Sequence, residues 1–394
     1  MNYRENPKNG DQLSILGYGC MRFPTKGGII DETRAEKQII SAIEQGVNYF
    51  DTAYIYHLGK SEVMLGKVLA KGYRHRVKIA TKLPHFMIRG AADMDKTFAT
   101  QLARLQTNYI DYYLIHMLQD LNQWERLIGL GIIPWIENKK KQGQIINLGF
   151  SYHGGKSQFI KLLDAYDWDF CQIQYNFIDE NNQAGKSGLE YAAAKGIPVI
   201  IMEPLRGGKI VNNLPPEATE IWNQASPKRS PAEWALRWIW NHPEATVVLS
   251  GMNTEEQVTE NIRAASDAQA GVLTTAELAL FDRVKELLRR KTKVDCTGCG
   301  YCMPCPAGVD IPACFSCYNE QYLNNNLRNK YLYVQNTGAV TANPGYASLC
   351  VKCGKCETHC PQGIPIRNKL SDISREMEGL LFKPIVAVAK KILK

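Results

Sequence analysis

Asn48-Tyr49-Phe50-Asp51-Thr52-Ala53-Tyr54-Ile55-Tyr56 is the stretch from which the fold is read. With Val47 its first half makes a short buried strand, and its second half is a polar turn carrying Asp51 and Tyr56. Two later apolar runs end in the same manner. Val77-Lys78-Ile79-Ala80-Thr81 stops at Lys82, and Tyr112-Tyr113-Leu114-Ile115 stops at His116. Helical patterns separate the runs, so the strands are expected to be parallel. In a closed parallel barrel the carboxyl ends of all strands open onto one face, where the chemistry of such barrels sits. One acid, one phenol, one ammonium and one imidazole are thus expected in a single mouth.

The alternation extends in both directions. An opening hairpin is expected to end in Ile15–Pro24. A helix over 33–44, with Ile39, Ile40 and Ile43 on one face, stops at Gly46. Further helices are predicted over 61–69, 93–105, 128–141, 157–165, 188–195 and 231–240. The remaining strands fall at 145–150, 170–174, 198–202 and 246–249. Eight strands with helices between them, in about 250 residues, fit a (β/α)8 TIM barrel better than an open doubly wound sheet, which also alternates.

Phe50-Asp51-Thr52-Ala53-Tyr54-Ile55-Tyr56, Ala80-Thr81-Lys82-Leu83-Pro84 and Asp111-Tyr112-Tyr113-Leu114-Ile115-His116 resemble the catalytic segments of aldo-keto reductases. Gly59-Lys60-Ser61-Glu62, Leu148-Gly149-Phe150-Ser151 and Gln172-Ile173-Gln174-Tyr175-Asn176 follow in the same family order. The resemblance spans residues 10–290 and implies a catalytic set of Asp51, Tyr56, Lys82 and His116. The chemistry also stands on its own. A carbonyl receiving hydride needs a proton donor at its oxygen, and a free phenol with pKa about 10 is a poor one. A neighbouring ammonium favours the phenolate, a carboxylate holds that ammonium, and an imidazole orients the carbonyl. Taken singly, Asp51 would cap a turn, Tyr56 would pack, Lys82 would be solvated and His116 would be a core residue. Their joint position at strand ends carries the functional reading.

Barrel phosphate sites favour the loops after strands seven and eight. These are Pro204-Leu205-Arg206-Gly207-Gly208-Lys209 and Ser250-Gly251-Met252-Asn253-Thr254-Glu255-Glu256-Gln257, the second with Asn253 and Glu256 spaced as a capping pair. Leu205, Gly207, Ser250, Asn253 and Gln257 are therefore cofactor-binding candidates. The resemblance adds Ser151 and Gln172 at the nicotinamide carboxamide and Asn261 at the adenine end. Met202 stands where many members stack an aromatic ring. Ser250 and Gln257 fall where a basic residue usually meets the 2′-phosphate, so NADPH and NADH both stay open.

Of 12 cysteines, all but Cys20 and Cys171 lie between Cys296 and Cys360. Clustering of this kind in a cytosolic chain points to metal. Cys350-x2-Cys353-x2-Cys356-x3-Cys360-Pro361 has the spacing of bacterial two-cluster ferredoxins, in which the fourth cysteine of each run serves the other cluster. The ferredoxin resemblance implies two 4Fe-4S clusters, one on Cys296, Cys299, Cys302 and Cys360 and one on Cys350, Cys353, Cys356 and Cys305. Cys305 follows Cys302 by one residue fewer than the pattern asks. Zinc is the competing reading, but zinc prefers paired knuckles separated by longer loops. Cys314 and Cys317 are expected to be buried small residues, as are Cys20 and Cys171.

Three segments are expected: a barrel over 1–288, a ferredoxin-type dicluster domain over 289–372, and a basic amphipathic tail over 373–394. The tail is expected to pack back onto its domain rather than lie on a membrane. Two oxidised clusters would lower the formal net charge from +8 to about +4. No basic run or nucleic-acid motif accompanies that charge. The polar start and the lack of a run of about 20 apolar residues point to a cytoplasmic protein. The whole chain resembles aldo-keto reductases with a C-terminal ferredoxin-type domain. The implied activity is an NAD(P)H-linked carbonyl or alcohol oxidoreductase coupled through its clusters to a ferredoxin or other electron carrier. Two alternatives stay open: an electron-transfer protein whose barrel docks a partner or ligand, and an ordinary reductase with structural clusters.

Overall fold

The computed structural model describes residues 1–379 other than 213, 325–327 and 342, together with 382–384 and 386. Eight parallel strands close into a barrel: β1 (Leu16–Gly19), β2 (Tyr49–Asp51), β3 (Lys78–Leu83), β4 (Ile110–Leu118), β5 (Ile145–Tyr152), β6 (Phe170–Gln174), β7 (Val199–Met202) and β8 (Ala245–Ser250). Each strand pairs with its neighbours in sequence, and β8 pairs with β1 through Val248 and Leu16. The opening hairpin is shorter than the sequence suggested. Tyr3–Glu5 pairs with Gln12–Ser14, and Leu16 already belongs to the barrel.

Helices follow the strands: α1 (Glu32–Glu44), α2 (Lys60–Leu69), α3 (Ala91–Leu105), α4 (Leu121–Gly129), α5 (Ile132–Lys141), α6 (Lys156–Asp164), α7 (Gly185–Ala194), α8 (Pro216–Trp222), α9 (Pro231–Trp240) and α10 (Glu255–Asp267). The single helix expected over 128–141 is two helices. Gly131, at φ 85°, breaks the chain between α4 and α5, and Asp120 caps the first of them through Gln123 N–H.

Strand periodicity explains how the mouth is built. Tyr49, Ala80, Tyr112, Leu114, Phe170, Ile200, Val247 and Leu249 point inward and fill the barrel, with Leu13 of the hairpin among them. Tyr112 sits edge-on to both Tyr49 and Phe170, at ring-centroid distances of 5.2 and 5.0 Å. Side chains on a strand alternate, so the residue two places on faces inward one layer higher. That rule lifts Asp51 above Tyr49, Lys82 above Ala80, His116 above Leu114 and Gln172 above Phe170. Gly17 makes room for this filling. A Cβ there would stand 2.7 Å from Leu249 and 2.8 Å from Val247.

The chain divides into two compact units, one of Met1–Leu205 with Ala232–Thr274 and one of Arg206–Pro231 with Thr275–Lys394. The loop after β7 and α8, which precede the expected boundary at 288, belong to the second unit. There α8 packs on α11 (Thr275–Lys291), with Trp222 edge-on to Phe281 at 4.9 Å and Lys291 paired to Glu217 at 2.8 Å. Beyond them lie α12 (Ile311–Asn324), α13 (Arg328–Asn336) and α14 (Ile366–Ile373). Their core includes Val309, Ile311, Phe315, Tyr333, Leu370 and Ile373. Of the expected tail, Phe382 and Val386 pack into this core, and Leu380, Leu381, Ile385, Val388, Ile392 and Leu393 lie outside the described residues. Among the described residues no helix is long and apolar enough to cross a membrane.

Gly17→Ala should destabilise the barrel by about 1–3 kcal/mol, the usual penalty of overpacking. Urea unfolding of cluster-loaded protein would show it as a lower midpoint, and an unchanged midpoint would contradict the tight interior.

Candidate active site

Lys82 is buried at the end of β3, where an unpaired ammonium would be costly. Its Nζ donates to Asp51 Oδ1 at 2.6 Å, to the Thr52 carbonyl at 2.8 Å and to the Tyr56 hydroxyl at 3.5 Å. Burial pulls the Lys82 pKa down, and the Asp51 carboxylate beside it pushes back up. The other Asp51 oxygen accepts from Gln172 Nε2 at 2.9 Å. The resemblance gave Gln172 to the nicotinamide, and the structure shows it gripping the carboxylate.

Tyr56 lies in a turn that the backbone reaches only under constraint. His57, Leu58 and Gly59 follow at φ 48°, 55° and 86°, all left-handed. Strain of this kind persists where the surroundings over-determine it. Arg104 supplies the restraint. It donates to the Tyr54 carbonyl and to Glu62 Oε2, both at 3.0 Å, and covers the Tyr54 ring with its Cζ 4.4 Å from the centroid. A Cβ on Gly59 would stand 2.8 Å from that guanidinium. Glu62 is fully buried and also accepts from Thr81 at 2.7 Å and Gln101 at 2.9 Å, while Gln101 donates to the Lys82 carbonyl at 3.0 Å. The turn of Tyr56 and the strand of Lys82 thus share one polar buttress. Gln101 and Arg104 were missed in the sequence because their partners lie far away along the chain.

His116 stands beside Tyr56, their ring centroids 6.0 Å apart. The β4–β5 pairing is irregular between Ile115 and Leu118, and Met117 there has φ 63°. Such a bulge re-aims side chains at a barrel rim. Ser151, assigned by resemblance to the cofactor, accepts the Met117 N–H at 2.8 Å and so braces the bulge. Burial, then the charges of Lys82, His153 and His85, keep the His116 pKa well below the usual histidine range. Burial also brings His85 and His153 down to about 4. His116 is therefore a neutral imidazole near pH 7.

The strand-eight loop and the start of α10 bring Ser250, Asn253, Gln257 and Asn261 together. Asn261 donates to Ser250 Oγ at 3.1 Å, and Gln257 Oε1 accepts the Asn253 N–H at 2.9 Å. The cap is Thr254, not Asn253. Thr254 is the last extended residue, and its hydroxyl accepts the Gln257 N–H at 3.3 Å. Cations reach this loop from other elements: Arg22 packs on Gly251, and Arg34 pairs with Glu255 at 3.0 Å. Leu205 and Gly207 are separated by the division of units, Gly207 going with the second.

In that second unit, two loops repeat one conformation. Gly298 donates its N–H to Cys296 Sγ at 3.3 Å, and Lys352 donates to Cys350 Sγ at 3.4 Å. In both loops this residue and the one two places on, Gly300 or Gly354, have positive φ. Cys296, Cys299, Cys302 and Cys360 line one hollow with Ile311, Phe315 and Ile364. Burial, then the charges of Cys299, Cys296 and Cys360, push the Cys302 thiol up to about 12. Burial raises Cys356 as well, with Cys350 and Cys305 adding to it. Cys305 thus neighbours the second run despite its short spacing. Among the described residues no three His, Cys, Asp or Glu side chains converge to share one metal ion. A lined hollow with backbone N–H groups on sulfur suits a multi-iron cluster. Cys314 and Cys317 are buried in the unit's core, where Cys317 accepts from Asn336 at 3.5 Å.

Residues 15–286 match the Aldo/keto reductase family. The chain belongs to that family. Residues 295–364 match the 4Fe-4S dicluster domain, so this aldo/keto reductase carries an iron–sulfur module at its C-terminal side. It is 24% identical over 317 residues to L-galactose dehydrogenase of Arabidopsis thaliana, covering 72% of this chain and 94% of that protein. It is also 24% identical over 290 residues to the uncharacterized oxidoreductase YqkF of Bacillus subtilis, covering 64% and 88%. Among solved structures, the holo form of aldo-keto reductase AKR11C1 from Bacillus halodurans superposes with TM-score 0.60 and 25% identity over 72% of this chain and 96% of that one. An aldo/keto reductase from Klebsiella pneumoniae, in complex with NADP and acetate, has the same fold at TM-score 0.56, 22% identity and coverage of 72% and 96%.

Two predictions arise for this aldo/keto reductase. Unfolding exposes His85, His116 and His153, which then bind protons near pH 6.5, whereas the native histidines bind them only at lower pH. Stability should therefore fall as pH drops below about 6.5, by up to about 1.4 kcal/mol per pH unit for each histidine. Urea midpoints between pH 7.5 and 5.5 would show the slope, and His85→Asn with His153→Asn should flatten it. Cys305→Ala should reduce iron per chain by removing the second cluster while the first keeps its EPR signal. Loss of neither, or of the first alone, would refute the cross-ligation.

Proposed function

We propose that this reductase is an NAD(P)H-linked oxidoreductase of a small carbonyl or alcohol substrate, acting in the cytoplasm. Through two 4Fe-4S clusters it exchanges electrons with a ferredoxin or another carrier. The observation that carries the reading is the buried Lys82 ammonium, held 2.6 Å from Asp51 and 3.5 Å from the Tyr56 hydroxyl. When bound, a nicotinamide nucleotide supplies hydride at the carbonyl carbon, and the clusters supply one-electron steps.

The chain's own residues manage the proton. Tyr56 gives its hydroxyl proton to the substrate oxygen, and the charged Lys82 beside it favours the phenolate left behind. Asp51 keeps Lys82 charged against its burial, and Gln172 holds the far oxygen of that carboxylate. His116, neutral, offers an N–H to the same substrate oxygen and orients it. Low dielectric around Lys82 strengthens each of these interactions. Ser250, Asn253, Gln257 and Asn261 are proposed at the nucleotide, as are Leu205 and Gly207 of the loop after β7. The likeness to L-galactose dehydrogenase supports a hydroxyl- or carbonyl-bearing small molecule.

Tyr56→Phe and Lys82→Met should each lower kcat for carbonyl reduction by about 100-fold or more, the scale of general acid catalysis, with nucleotide binding retained. Cluster-loaded protein mixed anaerobically with NADH, then NADPH, would be followed by iron–sulfur absorbance and EPR. Bleaching supports electron exchange between nucleotide and clusters. Turnover without bleaching would remove the coupling from the proposal, and absence of nucleotide binding would remove the reductase reading itself.

A further inference from the structure

The loop after β7 makes an unusual turn. Arg206, Gly207 and Gly208 are left-handed in succession, at φ 46°, 68° and 92°. The arginine is the strained member, and its buried guanidinium is fixed at its far end. Nη2 lies 3.4 Å from Asp295 Oδ1 and 3.5 Å from the Asp295 carbonyl. Asp295 immediately precedes Cys296, so the turn is tied to the first cysteine loop.

Lys209 follows that turn. Its Cε lies 3.9 Å from where a Cβ on Gly298 would stand, and its Nζ is shielded from solvent. Gly298 is the residue that donates its N–H to Cys296, and Cys299 comes directly after it. Cys317 of α12 also feels the Lys209 charge. The second cysteine loop is furnished differently. Lys352, which corresponds to Gly298, is exposed. The nearest cation to Gly354 is Arg367, about half-exposed and paired with Glu357 at 2.7 Å. Solvent screens such a pair, whereas a buried charge acts through a low dielectric.

We propose that Lys209 is a tuning residue that sets the reduction potential of the cluster on Cys296, Cys299, Cys302 and Cys360 above that of the cluster on Cys305, Cys350, Cys353 and Cys356. Reduction adds one negative charge to a cluster, and a fixed cation nearby favours the reduced form. Net charge around the sulfurs is among the quantities that set such potentials. The inference rests on the proposed cluster ligands and is independent of the carbonyl chemistry.

The test is an anaerobic potentiometric titration followed by EPR on full-length, cluster-loaded Lys209→Gln, Lys209→Met and Lys209→Arg, with iron and sulfide counted first. At the potential where the wild-type first cluster is half reduced, Gln and Met should lower its reduced-to-oxidised ratio about tenfold, a 59 mV shift for one electron. Arg should preserve most of the ratio, and the second cluster should titrate as in the wild type. The assignment would be overturned by an unmoved first cluster, by equal movement of both clusters, or by a shift in Arg as large as in Met. Loss of the first cluster from these variants would do so too, since it would make Lys209 an assembly residue. A wild type without two titratable clusters would instead refute the ligand set on which the inference stands.

Discussion

The barrel mouth is organised around one ion pair taken out of water, Lys82 with Asp51. Leaving either partner buried alone typically costs about 3–5 kcal/mol, so the surrounding structure is committed to satisfying both. Thr52 and Tyr56 occupy the remaining reach of the ammonium, and Gln172 occupies the far carboxylate oxygen. Burial first, and then the charge of Lys82, keeps His116 neutral. Beneath it, the aromatic filling of Tyr49, Tyr112 and Phe170 leaves no room for the site to sink. Above it, the strained turn of Tyr56 is held down by Arg104 and Glu62. Charge, packing and backbone strain there are one problem with one solution.

The iron–sulfur module meets a related difficulty by different means. Its thiols are partly buried and crowd one another, which opposes ionisation. Thiolates are what bind metal, and the positive charge of bound iron would offset that opposition. The backbone N–H groups of Gly298 and Lys352 are already turned toward the Cys296 and Cys350 sulfurs. Cys314 and Cys317, which complete no run, are instead core residues among Phe315, Tyr333 and Leu370.

What could be read from the sequence follows physical range. Strand order and the inward parity of Asp51, Lys82 and His116 are local properties of period two, and they were legible. The cysteine spacing was legible because three ligands of a cluster come from one short loop. Long-range polar partners were not. Nothing near Glu62 announces Arg104, and nothing near Met117 announces Ser151. The helix break at Gly131 and the cap at Thr254 depend on φ values that residue type alone permits but does not require. The loop 206–209 was a phosphate candidate by its position after strand seven, and only its contacts with Asp295 and Gly298 show where its cations go.

The second compact unit is assembled from two separated stretches, 206–231 and 275 onward. A cut after 288 would sever α11 near its end, part Lys291 from Glu217 and strip Arg206 of Asp295. The iron–sulfur module is therefore more than the residues that follow 288. Residues 206–231 and the residues from 275 onward share one core, and the folding of either stretch depends on the other.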